Sequence, residues 1–353
     1  MSSKAKTPAQ PNVKPVVTWL YVTAFFVFAM AIIGAITRLT ESGLSMVEWR
    51  PLIGAIPPLN EDEWQRVFNL YKETSEYQLA HSWMGIEDFK TIFFWEWFHR
   101  LWGRLIGVVY AIPFFYFLSR GNLPKQYRLS FWFFLILGGC QGLMGWYMVM
   151  SGFADRVDVS HYRLAAHLSL AFVIFALLID MAHRLQPEKA PDNAAHLYPL
   201  RPWIAMSFIS VFVTIIWGAF VAGLNAGLIY DSFPLMGEYP WPDEIFHLSP
   251  IWMNAFENHA TVQFTHRALA MLSMILTLLT VFKSRHFALA DQTKRLFRFL
   301  ALMVVFQVAL GITTLMTGVH IVPAVLHQGG ALILITLLIG CYHQTVPKSY
   351  SYA

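Results

Sequence analysis

Apolar residues in this chain gather in eight runs of roughly twenty, at about 16–37, 93–118, 129–150, 161–183, 203–223, 260–282, 297–317 and 320–343. Each is long enough to cross a hydrocarbon layer of ~30 Å as a helix. Polar segments with turn chemistry separate the runs, such as Arg120-Gly121-Asn122-Leu123-Pro124 and Gln186-Pro187-Glu188-Lys189-Ala190-Pro191. The pattern predicts an all-α polytopic membrane protein with eight transmembrane helices. The first run, Val16 to Thr37, is too long for a signal-peptide core and follows a short Pro/Lys-rich tail. It is therefore expected to be a retained first helix.

Lysine and arginine set the orientation. Fifteen of them, from Lys4 to Lys348, fall on one side of the eight spans, and the short loops opposite hold only Arg156 and Arg163. Both termini are thus expected to be cytoplasmic. The other side carries a long acidic loop, about 38–92, and a shorter one, about 224–259, both rich in Pro, Trp and Gly. These are expected to form an external cap with short helices, Glu61 to Thr74 among them.

The second half repeats the first. Gly34 and Gly43 are nine residues apart, as are Gly218 and Gly227. Gln141, Gly145, Met150 and Gly152 in the third run match Gln307, Gly311, Met316 and Gly318 in the seventh at the same offsets. His99-Arg100 matches His266-Arg267, and His167 matches His327. Four helices repeated in the same orientation predict two pseudo-symmetric four-helix bundles about an axis along the membrane normal. The expected organisation is a cytoplasmic tail (1–15), an N-terminal bundle (16–185), a cytoplasmic linker (186–202), a C-terminal bundle (203–343) and a second tail (344–353).

Composition agrees: of 353 residues 56% are hydrophobic and 13% charged, which excludes an ordinary soluble domain. The net charge of +4 follows from the topology and carries no nucleic-acid signal. Two cysteines, Cys140 and Cys341, both lie inside apolar runs, so neither a disulfide framework nor a thiol-metal site follows.

Chemistry enters with the histidines. His99, His167, His266 and His327 each sit six or seven residues past the outer end of an even-numbered run, at one depth roughly 10 Å below the outer boundary. Two histidines facing each other across each bundle suit bis-imidazole ligation of a haem iron. A zinc or non-haem iron site would want three or four converging ligands with carboxylates. The halves differ at one informative place: Glu96 lies three residues before His99, and Gln263 three before His266. Glutamine keeps the shape but cannot carry charge or transfer a proton. Chemistry is therefore expected in the N-terminal bundle and a cofactor in the C-terminal one. Arg100 and Arg267 are candidate propionate contacts, with backbone carbonyls as the equal alternative. His259 and His320, each seven residues before a matched histidine, are candidates for the outer pocket or interfacial anchors.

Glu96-Trp97-Phe98-His99-Arg100, with His167, His266 and His327 on eight spans in two repeats, resembles the haem A synthase family of cytochrome oxidase assembly. The resemblance covers nearly the whole chain, from Gly34 to His343. It implies oxidation of the ring-position-8 methyl of haem O to the formyl group of haem A by successive hydroxylation and loss of water. It also implies that His99 and His167 flank the substrate or product haem, and that His266 and His327 ligate the iron of an electron-relaying haem B. Glu96 becomes the essential acid beside the reacting methyl, stabilising positive charge or moving protons. Some bacterial members carry an outer-loop cysteine pair; this chain has none and is similar instead to the proteobacterial and mitochondrial branch. The short N-terminal tail favours a bacterial inner membrane over a mitochondrial one, with the haem sites toward the periplasmic side.

A reading of a different class is a bis-histidine di-haem cytochrome passing electrons from a quinol. It predicts two stably bound haem B groups and no need for Glu96. A third, a haem transporter, is disfavoured by four ligands at one depth. Expected partners are haem O, the lipid bilayer, a haem O synthase and an electron donor that the sequence does not identify. Small-residue pairs such as Gly138-Gly139 leave a homo-oligomer open.

Overall fold

A computed structural model describes residues 12–48, 53–152, 159–186 and 194–346. Most of both expected tails, and residues 187–193 of the expected linker, lie outside the described residues. Among the described residues eight helices are long and apolar enough to cross a membrane, the architecture of a multi-pass membrane protein. They are α1 (Lys14–Leu39), α3 (Ile86–Ser119), α4 (Arg128–Met150), α5 (His161–Arg184), α6 (Arg201–Gly223), α8 (His259–Ser284), α9 (Asp291–Met316) and α10 (Ile321–His343). Two short helices, α2 (Glu61–Lys72) and α7 (Asn254–Glu257), belong to the caps.

Helix neighbours repeat as the sequence does. In the first half α1 packs on α3 and α5, and α4 on α3 and α5; in the second α6 packs on α8 and α10, and α9 on α8 and α10. Each set closes a four-helix ring. Between halves the main helix packings are α1 with α10, α5 with α6, and α5 with α10. The first two are exchanged by the repeat, and the third pairs equivalent helices, so α5 and α10 flank the pseudo-twofold axis. There His183 and His343, themselves repeat equivalents, stack with ring centroids 5.0 Å apart and planes 14° from parallel.

Lipid tails are as apolar as leucine, so packing and hydrogen bonds rather than hydrophobic burial hold such helices together. Between α6 and α8, Ser207 bonds Thr280 at 2.9 Å and Thr214 bonds Ser273 at 2.8 Å; pairs of this kind contribute about 0.6 kcal/mol each in a bilayer. Between the halves, Arg38 at the end of α1 donates to the Ala222 carbonyl at 2.8 Å and to Asn225 Oδ1 at 2.7 Å. It thus satisfies the exposed carbonyl end of α6, where a cation also complements the helix dipole.

Two span boundaries differ from the apolar pattern. Helix α3 begins at Ile86 rather than near 93, because its first turns are stabilised by Glu87 and Asp88, the latter accepting from the Gly85 N–H at 3.0 Å. Those turns also bury Phe89, Ile92 and Phe93 against Phe68 and Tyr71. Helix α9 begins at Asp291 rather than near 297, its charged first turns continuing the span into the polar layer. The cap helix α2 starts as expected, with Asn60 Oδ1 accepting from the Glu63 N–H at 2.9 Å.

Candidate functional site

Each of the four matched histidines rests against a glycine of the neighbouring helix. A methyl group added at Gly34 would come within 3.2 Å of His99, at Gly145 within 3.0 Å of His167, at Gly218 within 3.0 Å of His266, and at Gly311 within 2.9 Å of His327. A side chain at any of the four would press the facing ring away from the adjoining helix by a few tenths of an ångström. All four glycines occupy repeat-equivalent positions, so the cradle is built twice.

Glutamines complete it. Gln307 Nε2 donates to the His327 carbonyl at 2.8 Å, and Gln141 Nε2 donates to the His167 carbonyl at 3.0 Å. His327 Nδ1 lies 3.2 Å from the Gln307 carbonyl. A proton on Nδ1 bonded this way leaves Nε2 as the lone-pair nitrogen, the arrangement that orients metal-ligating histidines. On the other helix pair, His99 Nδ1 lies 3.4 Å from the Thr37 hydroxyl.

The second pair can be tested for fit to a haem iron. His266 and His327 have ring centroids 6.4 Å apart, at 71° to each other. Two imidazoles sharing one metal, each nitrogen about 2 Å from it, place their ring centres about 6 Å apart. The separation of His266 and His327 is that of a bis-histidine site. Among the described residues no three His, Cys, Asp or Glu side chains gather as metal ligands; the histidines converge in twos. Gly311→Ala is expected to push the His327 ring away from His266 and, if the pair holds haem, to alter its absorption spectrum while the helices remain folded. An unchanged spectrum in that variant would remove the cradle from the argument.

Above the histidines the halves diverge. Glu96 is 3% exposed, and its carboxylate points into the loop after α1. Oε2 accepts from Ser45 Oγ at 2.8 Å and from the Met46 N–H at 2.7 Å, and Oε1 accepts from Arg100 Nη2 at 2.5 Å. All three partners donate, so the site is built for an acceptor. In the other half Gln263 Nε2 donates to the Tyr230 carbonyl at 2.9 Å. The loop offers an N–H to glutamate on one side and a carbonyl to glutamine on the other.

Arg100 and Arg267 make matching contacts. Arg100 donates to the Met46 and Glu48 carbonyls at 3.0 and 3.4 Å; Arg267 donates to Tyr230 and Ser232 at 3.0 and 2.8 Å. Each guanidinium ties the loop leaving the first helix of its repeat to the second spanning helix. Arg66 of α2 grips Glu48 through both carboxylate oxygens, at 3.2 and 2.8 Å, and so fastens the cap to this loop. His259 is exposed at the first position of α8. His320 precedes α10 and caps it, Nδ1 accepting from the Val322 N–H at 3.4 Å.

The glycines and glutamines of the cradle carry no ligand chemistry of their own. They were visible only as markers of the repeat, and the repeat was the signal.

Fold and site together define a polytopic helical membrane protein with one glycine-backed histidine pair in each of two repeats and one buried carboxylate that breaks their symmetry. A family model described as cytochrome oxidase assembly protein matches residues 17–339. The heme A synthase of Rhodospirillum centenum is 48% identical over 335 residues, covering 95% of this chain and 89% of that protein. That of Nitrosospira multiformis is 43% identical over 332 residues, 94% and 93% of the two chains; that of Sinorhizobium medicae is 44% identical over 317, 90% and 86%. The chain belongs to the haem A synthase family of cytochrome oxidase assembly proteins.

Proposed function

We propose that this protein oxidises the methyl group at ring position 8 of haem O, through successive hydroxylation and loss of water, to the formyl group of haem A. The observation that carries this reading is the break in an otherwise matched pair of sites: Glu96 in an all-donor pocket on one side, Gln263 on a carbonyl on the other. The heme A synthases similar to this chain supply the reaction class.

In this reading His99 and His167 flank the substrate haem, and His266 and His327 hold haem B. Haem B, when bound, supplies one-electron transfer. Glu96, one helical turn from His99, is the acid beside the reacting methyl, stabilising positive charge that develops there or moving protons. Arg100 and Arg267 fix the loops above the two sites, and His259 and His320 stand at the outer mouths as candidate propionate contacts. The sites lie toward the periplasmic side of a bacterial inner membrane, and a haem O synthase is the expected source of substrate.

Haem extracted from the detergent-purified protein, made in cells that produce haem O and separated by chromatography with mass detection, tests the reading. Haem A or its hydroxylated precursor beside haem B is the expected result. Haem B alone would make the protein a di-haem electron carrier.

A further inference from the structure

The N-terminal cap contains a chain of ionisable groups outside both histidine pairs. Glu41 follows α1 with a left-handed backbone, φ +51°, and presents a side chain 61% exposed. Its Oε2 lies 3.1 Å from His81 Nε2. His81 Nδ1 lies 2.8 Å from the Tyr71 hydroxyl, which lies 3.0 Å from Glu76 Oε2. His81, Tyr71 and Glu76 are 5%, 0% and 6% exposed. One end of the chain meets water, and the rest runs under the cap.

Hydrogen counting shows what this chain can do. Three hydrogen bonds need three protons; with Glu41 ionised and Tyr71 neutral, two arrangements supply them. In the first, His81 is an imidazolium donating to Glu41 and Tyr71, and Tyr71 donates to a Glu76 carboxylate. In the second, a protonated Glu76 donates to Tyr71, Tyr71 donates to His81 Nδ1, and Nε2–H still donates to Glu41. Net charge and hydrogen-bond number are the same in both. They differ by one transfer: the Nδ1–H bond breaks, Tyr71 Oη takes that proton, and the original hydroxyl proton passes to Glu76.

We propose that Glu41, His81, Tyr71 and Glu76 form a proton wire between the water above the N-terminal cap and the interior over Glu96. Tyr71, its middle member, packs toward the helix that carries Glu96. The Tyr71 ring stacks on Phe89, centroids 5.2 Å apart and planes 28° from parallel, and Phe89 lies seven residues before Glu96, two turns up the same helix face. Met46, whose N–H bonds Glu96, shares one buried cluster with Tyr71 and Phe89. Burial, reinforced by the Glu76, Glu96 and Glu41 carboxylates, pushes the Tyr71 phenol up, so it relays protons as a hydroxyl and does not rest as phenolate.

Other charged groups of the cap are engaged around the wire. Arg66 pairs with Glu48 and Glu63, Lys90 with Glu61 and Glu87, and Lys72 sits over the Phe68 ring. Tyr77 packs edge-on to Tyr71 at 5.6 Å. Among the described residues, the C-terminal cap combines neutral amides with carboxylates bonded to tyrosines, Glu244 to Tyr230 at 2.9 Å and Glu257 to Tyr162 at 2.6 Å. Asn258 Nδ2 donates to Asn254 Oδ1 at 3.0 Å and to the Glu244 carbonyl at 2.6 Å. The wire and Glu96 belong to the same half. The inference rests on the proposed activity in one respect, the proton demand of oxidation near Glu96.

Infrared absorption after an acid pH jump reads the wire without turnover. The protein as purified should develop a protonated-carboxyl stretch, assigned to Glu76 by its loss in Glu76→Gln. In Tyr71→Phe, which keeps the ring and its packing, the final amplitude should be retained and the rate should fall roughly tenfold or more. His81→Gln should slow it similarly. Equal rates in Tyr71→Phe and the parent protein, or no Glu76-dependent band at any pH, overturns the wire. Conversion of haem O is measured in parallel: Tyr71→Phe should bind haem normally and lose about tenfold in turnover, and unchanged turnover overturns the wire's place in the reaction. If the parent protein makes no haem A, the proposed activity fails while the infrared result still decides the wire.

Discussion

Glu96→Gln is expected to leave haem bound and to abolish formation of the formyl product, although glutamine is the residue that the other half of the molecule uses at this position. A glutamate here receives three donors on two oxygens. A glutamine has one acceptor oxygen and an NH2 group. Whichever way the amide turns, that NH2 faces either the Arg100 guanidinium or the Ser45 hydroxyl and Met46 N–H. Leaving a buried donor unmet costs about 1–3 kcal/mol, and removing one partner of a buried ion pair about 3–5 kcal/mol. Arg100 keeps its bonds to the Met46 and Glu48 carbonyls, which offsets part of this and holds the fold. What remains is a loop held by Arg100 without the Glu96 carboxylate, and a site without its acid. Chromatography with mass detection of extracted haem checks the result: haem B per protein at the parent level, with haem A absent. Haem A in appreciable amount from this variant would sink the assignment of chemistry to Glu96.

The same comparison explains what could be read from the sequence and what could not. Eight spans, their repeat and the four histidines were legible, because in a bilayer an apolar run of twenty residues has few alternatives to a helix and an intramembrane histidine stands out against it. The start of α3 was not, because Phe89, Ile92 and Phe93 are buried by the cap, and a tertiary contact leaves no mark on a hydropathy pattern. The Glu96/Gln263 difference was legible as a loss of charge. Its complement, an N–H at Met46 against a carbonyl at Tyr230, was not, since backbone orientation in a loop is invisible to residue type. Nor was the Glu41–His81–Tyr71–Glu76 chain, whose members are brought together from loops and a short helix with no periodic relation.

His327→Ala is expected to strip the cofactor haem from the C-terminal half and end turnover, with the N-terminal pair left intact. The ring is fixed from three directions: Gly311 behind it, the Gln307 carbonyl on Nδ1 at 3.2 Å, and His266 across the bundle at 6.4 Å. Truncation removes one of the two histidines that converge there, and the Gln307 carbonyl loses the ring nitrogen it faces. No neighbouring His, Cys, Asp or Glu among the described residues stands in as a third ligand. The two pairs share no helix, His99 and His167 lying on α3 and α5 and His266 and His327 on α8 and α10. Sites without shared partners respond nearly independently, so His167→Ala should instead impair the substrate side and leave the haem B spectrum in place. Haem content and the reduced-minus-oxidised spectrum of the two variants measured side by side make the distinction. Loss of the same haem signal in both would mean that one haem, not two, spans the histidine pairs, and normal haem B with normal turnover in His327→Ala would remove the cofactor from this half altogether.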